Sequence, residues 1–259
     1  MIVISERVNG LFKSVGKAID DRDKKFLQDL ALDQVKAGAN MLDVNTGPGV
    51  DRPEQIMKWM VQTIQEVTDV QLSIDAPVPS VIEAGLEVCK GRALINSTTA
   101  EQKKMASLFP LAKMYNAEII CLTLDEKGIP NDANSRCELA LTMITNAMEY
   151  EITPDRIFLD PLALPVGAAQ DQGMKVLESL KQFKTLCDPA PKTTVGLSNV
   201  SNGTKERPLI NRTFLTMLMA YGLDSAILNP SDTDLMNALR TSEILLNQKL
   251  YCDSYLRAC

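Results

Sequence analysis

Short apolar runs recur along the chain, and between them lie longer stretches in which apolar residues return every three or four positions. The runs are Ile2–Ile4, Met41–Val44, Leu72–Ile74, Ala93–Ile95, Ile119–Leu124, Ile157–Leu159, Thr194–Leu197 and Ala226–Leu228. Ile56, Met60, Ile64 and Val67 mark one intervening helical face, and Ile82, Leu86 and Cys89 mark another. Such alternation predicts parallel strands joined by crossover helices. Gly38, Gly91 and Gly222 each follow a helical stretch and precede a run, where a left-handed cap is wanted. Eight units without a composition break predict a closed (β/α)8 TIM barrel of the α/β class, one domain over residues 1–259. An open doubly wound sheet is the competing architecture.

Composition narrows the chemistry. The chain of 259 residues is 45% hydrophobic and 23% charged, enough for a sizeable core and unlike a disordered segment. A formal net charge of −6 argues against nucleic acid or an anionic membrane as partner. Residues 1–10 lack the charged and apolar regions of a secretion signal, and no run nears the roughly 20 residues that span a bilayer. A cytoplasmic protein is expected. Cys89, Cys121, Cys137, Cys187, Cys252 and Cys259 are scattered, and read as reduced thiols packed like small apolar groups. The chain contains no histidine. Ser/His/Asp triads and His-ligated metals are therefore excluded, and chemistry must run on carboxylates, amides, hydroxyls or a bound cofactor. Neither GxGxxG nor GxxxxGK[ST] occurs, which disfavours nucleotides bound in those ways.

Each predicted strand ends in polar residues: Glu6-Arg7, Asp43 and Asn45, Asp75, Asn96-Ser97, Thr123 and Asp125, Asp160, Ser198-Asn199, and Asn229. In a barrel these ends converge on one mouth, where active sites form. A mouth of carboxylates and amides suits a neutral planar ligand with a donor–acceptor edge better than a phosphorylated sugar. Asp43, Asn45 and Asn229 read equally well as turn formers or helix caps. Asp75, Asn96 and Asp160 follow purely apolar runs, so they are expected to share a ligand. Without one, each carries a desolvation cost of roughly 1–3 kcal/mol.

These residues fall within motifs that resemble a known family. SERVNG at the start, DVNTGP after the second run, INST at 95–98, LDPL at 159–162, GLSNVS at 196–201 and RPLINRTFL at 207–215 occur in the family's order across essentially the whole chain. Together they resemble the pterin-binding methyltransferases, with closest likeness to the methyltetrahydrofolate:corrinoid/iron–sulfur protein methyltransferases. The resemblance implies that Asp75, Asn96 and Asp160 hydrogen-bond the pterin ring. Gly196, Ser198, Asn199, Asn202, Arg207 and Ile227 would complete the folate pocket, with Asn199 near pterin N5. It implies methyltetrahydrofolate or tetrahydrofolate as substrate, a corrinoid (cobalamin) carried by a partner protein, and a homodimer. Two departures stand out: Ala76-Pro77-Val78 replaces the family's usual Ser-Thr-Asn, and position 202 is Asn where relatives often have Gln.

The methylated amine is a poor leaving group unless N5 is positively charged, so a proton or strong hydrogen bond must be favoured there in the transition state. Asn199 can steady a protonated N5 through its oxygen. Asp160 belongs to the carboxylate network through which a proton would arrive. No resident metal is expected. Transfer could run to the corrinoid or back to tetrahydrofolate. The alternatives are a dihydropteroate synthase-like enzyme, a non-catalytic folate-binding subunit, and a metal-dependent lyase using Asp43, Asp75 and Asp160.

Overall fold

Eight parallel strands form the barrel wall, and the computed structural model describes residues 1–252. The strands are β1 (Ile2–Asn9), β2 (Met41–Asn45), β3 (Gln71–Asp75), β4 (Leu94–Thr99), β5 (Glu118–Leu122), β6 (Ile157–Asp160), β7 (Lys192–Thr193) and β8 (Ser225–Leu228). Among the described residues nine α-helices surround them: α1 (Lys13–Asp20), α2 (Lys24–Lys36), α3 (Pro53–Gln65), α4 (Pro79–Val88), α5 (Gln102–Met114), α6 (Ala133–Glu149), α7 (Gln172–Phe183), α8 (Arg207–Ala220) and α9 (Thr233–Leu245). Each strand pairs with its sequence neighbour from β1 to β7, and β8 pairs with β1. The last seam, between β7 and β8, closes through the Ile227 amide on the Val195 carbonyl at 3.0 Å and a parallel bridge from Gly196 to Ile227. The sheet is therefore a barrel and not an open doubly wound sheet.

Strand parity explains the interior. Ile4, Met41, Leu94, Ile120 and Phe158 form one buried apolar cluster inside the barrel. Two residues further along three of those strands lie Asp43, Asn96 and Asp160, which pleating returns to the same face. The mouth is polar because this parity continues past the apolar layer. Leu42, Val44, Leu72, Ile74, Ile95, Ile119 and Leu159 occupy the other parity and pack outward under the helices in a second, larger core. Each such side chain contributes about 1.5–3 kcal/mol when fully buried.

The seventh run needs correction. The sequence pattern put that strand at Thr194–Leu197, whereas β7 is Lys192–Thr193 and Leu197–Ser201 is a 3-10 turn. Val195 and Leu197 are both buried. Burial of Thr193, Thr194, Val195 and Leu197 reports core contact there, and it continues across the point where the backbone leaves the sheet. Gly38, Gly91 and Gly222 adopt φ of 110°, 77° and 96°, as left-handed caps should. The cysteine expectation holds in part: Cys121 is buried, Cys89, Cys137 and Cys187 are half-buried, and Cys252 is exposed. Cys259 lies outside the described residues. No helix among them is long and apolar enough to cross a membrane.

Candidate active site

The strand register sets out the mouth. Asn45, Asp75 and Asn96 stand in one row on β2, β3 and β4. Asp160 ends β6 opposite Leu122 of β5, and the Gly196–Ile227 bridge closes the ring. Gly10 and Gly47 tie two of the loops together: a Cβ on Gly10 would lie 2.2 Å from the Thr46 carbonyl oxygen, so only glycine permits that approach.

Each of the three residues expected to share a ligand already has a protein partner, which corrects the expectation that only a ligand could satisfy them. The Asn45 amide donates to Asp75 Oδ2 at 2.6 Å, while Asn45 Oδ1 accepts from the Gly47 amide at 2.7 Å. The Asn96 amide donates to Asp43 Oδ1 at 3.0 Å, and the Ser73 hydroxyl reaches the same oxygen at 2.6 Å. Asp160 Oδ1 accepts from the Leu162 amide at 2.7 Å. These bonds fix orientation and leave capacity. Asp75 Oδ1 and Asn96 Oδ1 take no hydrogen bond among the described residues and remain as acceptors at the mouth, beside an Asp160 carboxyl that the Leu162 and Gly196 amides both face.

The turn-former alternatives divide cleanly. Asn229 accepts from the Ser231 amide at 3.1 Å and is a turn residue, while Asn45 both shapes its turn and holds Asp75. Asp43 is neither a cap nor a turn former. It is 3% exposed, beneath Asn96.

Burial dominates the electrostatics. Asp160 is 5% exposed, and burial lifts its carboxyl to about 6 against the opposing pull of the Leu162 and Gly196 amides and the Arg136 charge. It is therefore mostly ionised at neutral pH. Burial first, then the charge of Asp75, pushes Asp43 up to about 8. Burial also raises Asp75, against its bond from Asn45. Glu6 on β1 is raised by burial, opposed by the Ser198 hydroxyl and by Arg7 and Arg207.

The remaining expected residues lie across the mouth, away from Asp75 and Asn96. Glu6, Ser198, Asn199 and Arg207 line a cavity of about 530 Å³, whereas Asp75, Asn96, Ala76 and Pro77 line one of about 200 Å³. Ser198 donates to both Glu6 oxygens, at 3.0 and 2.9 Å. Arg207 braces the turn through the Ser201 hydroxyl at 3.2 Å and the Ser198 carbonyl at 3.3 Å. Gly196 leaves room for Asn199, since a Cβ there would lie 2.9 Å from Asn199 Nδ2. Asn202 is exposed at the end of the same turn, and Ile227 is half-buried on β8.

Two contributors escaped the sequence reading. Ser73 sits in a run that reads as plain apolar strand, and only strand pairing places it on Asp43. Arg136 is wholly buried, with Nη2 on Gln172 Oε1 at 2.7 Å, Nε on the Pro130 carbonyl at 3.1 Å and Nη1 without a hydrogen bond among the described residues. Its signal was available: it falls on the α6 face buried at Ala133, Ala140, Met143 and Ala147. Asp43, Asp75 and Asp160 do not form a metal set, because among the described residues no three His, Cys, Asp or Glu side chains group as ligands.

Similarities to known proteins agree with the fold. A family profile described as pterin binding enzyme matches residues 13–229. The chain is 34% identical over 260 residues to the methylcorrinoid:tetrahydrofolate methyltransferase of Eubacterium limosum, covering 100% of this chain and 96% of that protein. It is 28% identical over 252 residues to the methionine synthase of Mycobacterium tuberculosis, covering 92% of this chain but only 21% of that much longer one. Dihydropteroate synthase of Yersinia pestis superposes with a TM-score of 0.68 at 16% identity, over 95% of this chain and 93% of that one. The Xanthomonas albilineans enzyme, in complex with 7,8-dihydropteroate, gives 0.66 at 14% identity, with coverage of 95% and 93%. At such identities the superpositions speak to fold alone.

Proposed function

This chain belongs to the pterin-binding enzyme family, and from that footing we propose that it moves the N5-methyl group between methyltetrahydrofolate and the cobalt of a corrinoid carried by a second protein. The observation that carries the reading is the convergence of Asp75 Oδ1, Asn96 Oδ1 and the Asp160 carboxyl on one mouth, each on a side chain already oriented by a protein partner. A reduced pterin offers N–H donors along one edge, and prepaid orientation lets that edge bind without reorganising the site. Asp160 is mostly ionised at neutral pH and makes the strongest acceptor of the three.

Gly196, Ser198, Asn199, Asn202, Arg207 and Ile227 form the opposite flank of the pocket. The Asn199 side chain makes no hydrogen bond among the described residues, so it can turn toward N5 when substrate arrives. Ala76 and Pro77 line the smaller cavity beside Asp75 and Asn96, and Asn202 is exposed on the opposite flank, so both departures from the family pattern fall at the pocket and alter its contacts. The cobalt chemistry belongs to the corrinoid. This chain binds the pterin, orients N5 and manages its proton.

The working unit in this proposal is a homodimer in the cytoplasm. An apolar groove of about 340 Å³ between α7 and α8, with Met174, Leu209 and Met217 exposed at 47%, 51% and 40%, supports a second copy. Light scattering of M217E against wild type tests it, the variant being expected to run as a monomer. The methyl-transfer reading is tested by mixing the protein with methyltetrahydrofolate and reduced free cobalamin and following the cobalt spectrum. Methylcobalamin formation at a rate proportional to enzyme supports it. Saturable folate binding without transfer would favour the non-catalytic alternative.

A further inference from the structure

Asn199 can steady a protonated N5 but has no proton to give, and the chain has no histidine. Four carboxyls approach the mouth from β1, β2, β3 and β6. Asp160 takes the Leu162 amide and serves as an ionised acceptor. Asp43 lies beneath Asn96, with one oxygen filled by Ser73 and Asn96 together. Asp75 is held by Asn45 and lines the cavity that Asn199 does not. Glu6 is the remaining one. It lines the same cavity as Asn199, and its carboxyl is bound through both oxygens by Ser198, the residue immediately before Asn199.

Building on the methyl-transfer reading above, we infer that Glu6 is the proton donor and acceptor for folate N5, acting through the Ser198 hydroxyl. A protonated Glu6 donates to Ser198 Oγ, the Ser198 hydroxyl proton moves on across cavity water, and N5 receives it. The N5–CH3 bond then breaks with its electron pair staying on nitrogen, and the methyl group passes to the corrinoid, which supplies the pair for the new bond. Tetrahydrofolate leaves with N5–H, and the Glu6 carboxylate regains a proton from solvent. In the reverse direction N5 attacks the methyl group and its proton returns along the same path.

The surroundings suit this duty. Burial favours the protonated carboxyl, while Ser198, Arg7 on the same strand and Arg207 at the start of α8 favour the ionised one. From β2, Asp43 faces the Glu6 charge, and Asp232 lies across the cavity, engaged in capping α9 through the Leu235 amide at 3.0 Å. A carboxyl raised by burial keeps its proton to higher pH than an exposed one and so is the better placed to give it up.

The test is E6Q, which keeps the size and an acceptor for Ser198 but removes the titrating proton. Single-turnover transfer from methyltetrahydrofolate to free cob(I)alamin is followed from pH 5 to 8.5, together with folate affinity. Loss of a general acid predicts a rate lowered roughly 100-fold at the acid end of that range, with folate Kd changed less than about 3-fold. The wild-type rate falls as rising pH ionises Glu6, and that dependence disappears in E6Q. E6D, whose carboxyl is one methylene further back, restores the pH dependence at a lower rate. An E6Q enzyme with the wild-type rate and pH profile overturns the assignment. So does loss of folate binding in step with rate in both variants, which would make Glu6 a pocket-shaping residue. A wild-type protein that binds folate yet transfers no methyl group overturns the underlying reading, and the Glu6 role with it.

Discussion

Asp160→Asn removes a charge from a side chain only 5% exposed while keeping Oδ1 for the Leu162 amide. Burial raises this carboxyl from 3.8 to about 6, so between those values the folded protein holds the proton more tightly than the unfolded chain. Stability from this group is complete below the unfolded value and is lost as pH rises through the folded one. An interval of roughly 2 pH units at about 1.4 kcal/mol each amounts to about 3 kcal/mol. Asn does not titrate. Urea unfolding of the two proteins from pH 3.5 to 7.5 should therefore show D160N gaining up to about 3 kcal/mol on wild type as pH rises, with most of the change between pH 4 and 6. Asp43, Asp75 and Glu6 titrate in both proteins, so the difference between the curves isolates Asp160. The same variant should bind tetrahydrofolate roughly 10- to 100-fold more weakly at pH 7, because a charged acceptor facing the pterin is lost. A difference curve flat across the whole range would refute the reasoning about burial. A gain in stability with unchanged folate affinity would refute the placement of the pterin.

Asn199→Ala is expected to lower the transfer rate by roughly 10-fold or more in stopped-flow assays with little change in folate Kd, as fits a group whose bond strengthens in the transition state. Asp43→Ala strands the Ser73 hydroxyl and the Asn96 amide and should cost about 2–4 kcal/mol in denaturant unfolding, against about 1 for Ser73→Ala. Gly10→Ala forces a methyl group against the Thr46 carbonyl and should destabilise by about 2–3 kcal/mol or more. Folate affinity, measured by calorimetry, should be indifferent to chelators, since no acidic ligand set exists among the described residues.

Seven of the eight strands were legible because their apolar runs occupy both sides of the barrel wall, and burial on both faces is what a parallel strand requires. Most runs understated lengths at the mouth, although the fifth, Ile119–Leu124, ran past the end of β5 at Leu122. β1 extends to Asn9, beyond Ile4, because the ligand end of a strand is polar. The seventh strand was misplaced because Val195 and Leu197 stay buried beyond the end of β7 at Thr193, and burial does not report backbone pairing. The site was legible as a collection of strand ends. Its division into residues facing outward and residues beneath them was not. That Asp43 supports Asn96, or that Asn45 holds Asp75, depends on register between strands some 30 to 50 residues apart. A single sequence carries no direct mark of such pairings, and Asp43 and Asp75 look alike in it.

The measurement that bears most directly on the account is a crystal structure with methyltetrahydrofolate bound. The account predicts a pterin edge meeting Asp75 Oδ1, Asn96 Oδ1 and an oxygen of the Asp160 carboxylate at about 2.7–3.2 Å, with N5 facing the Asn199 amide. A pterin lodged instead in the apolar groove between α7 and α8, or one that leaves two of those three oxygens facing water, would contradict it.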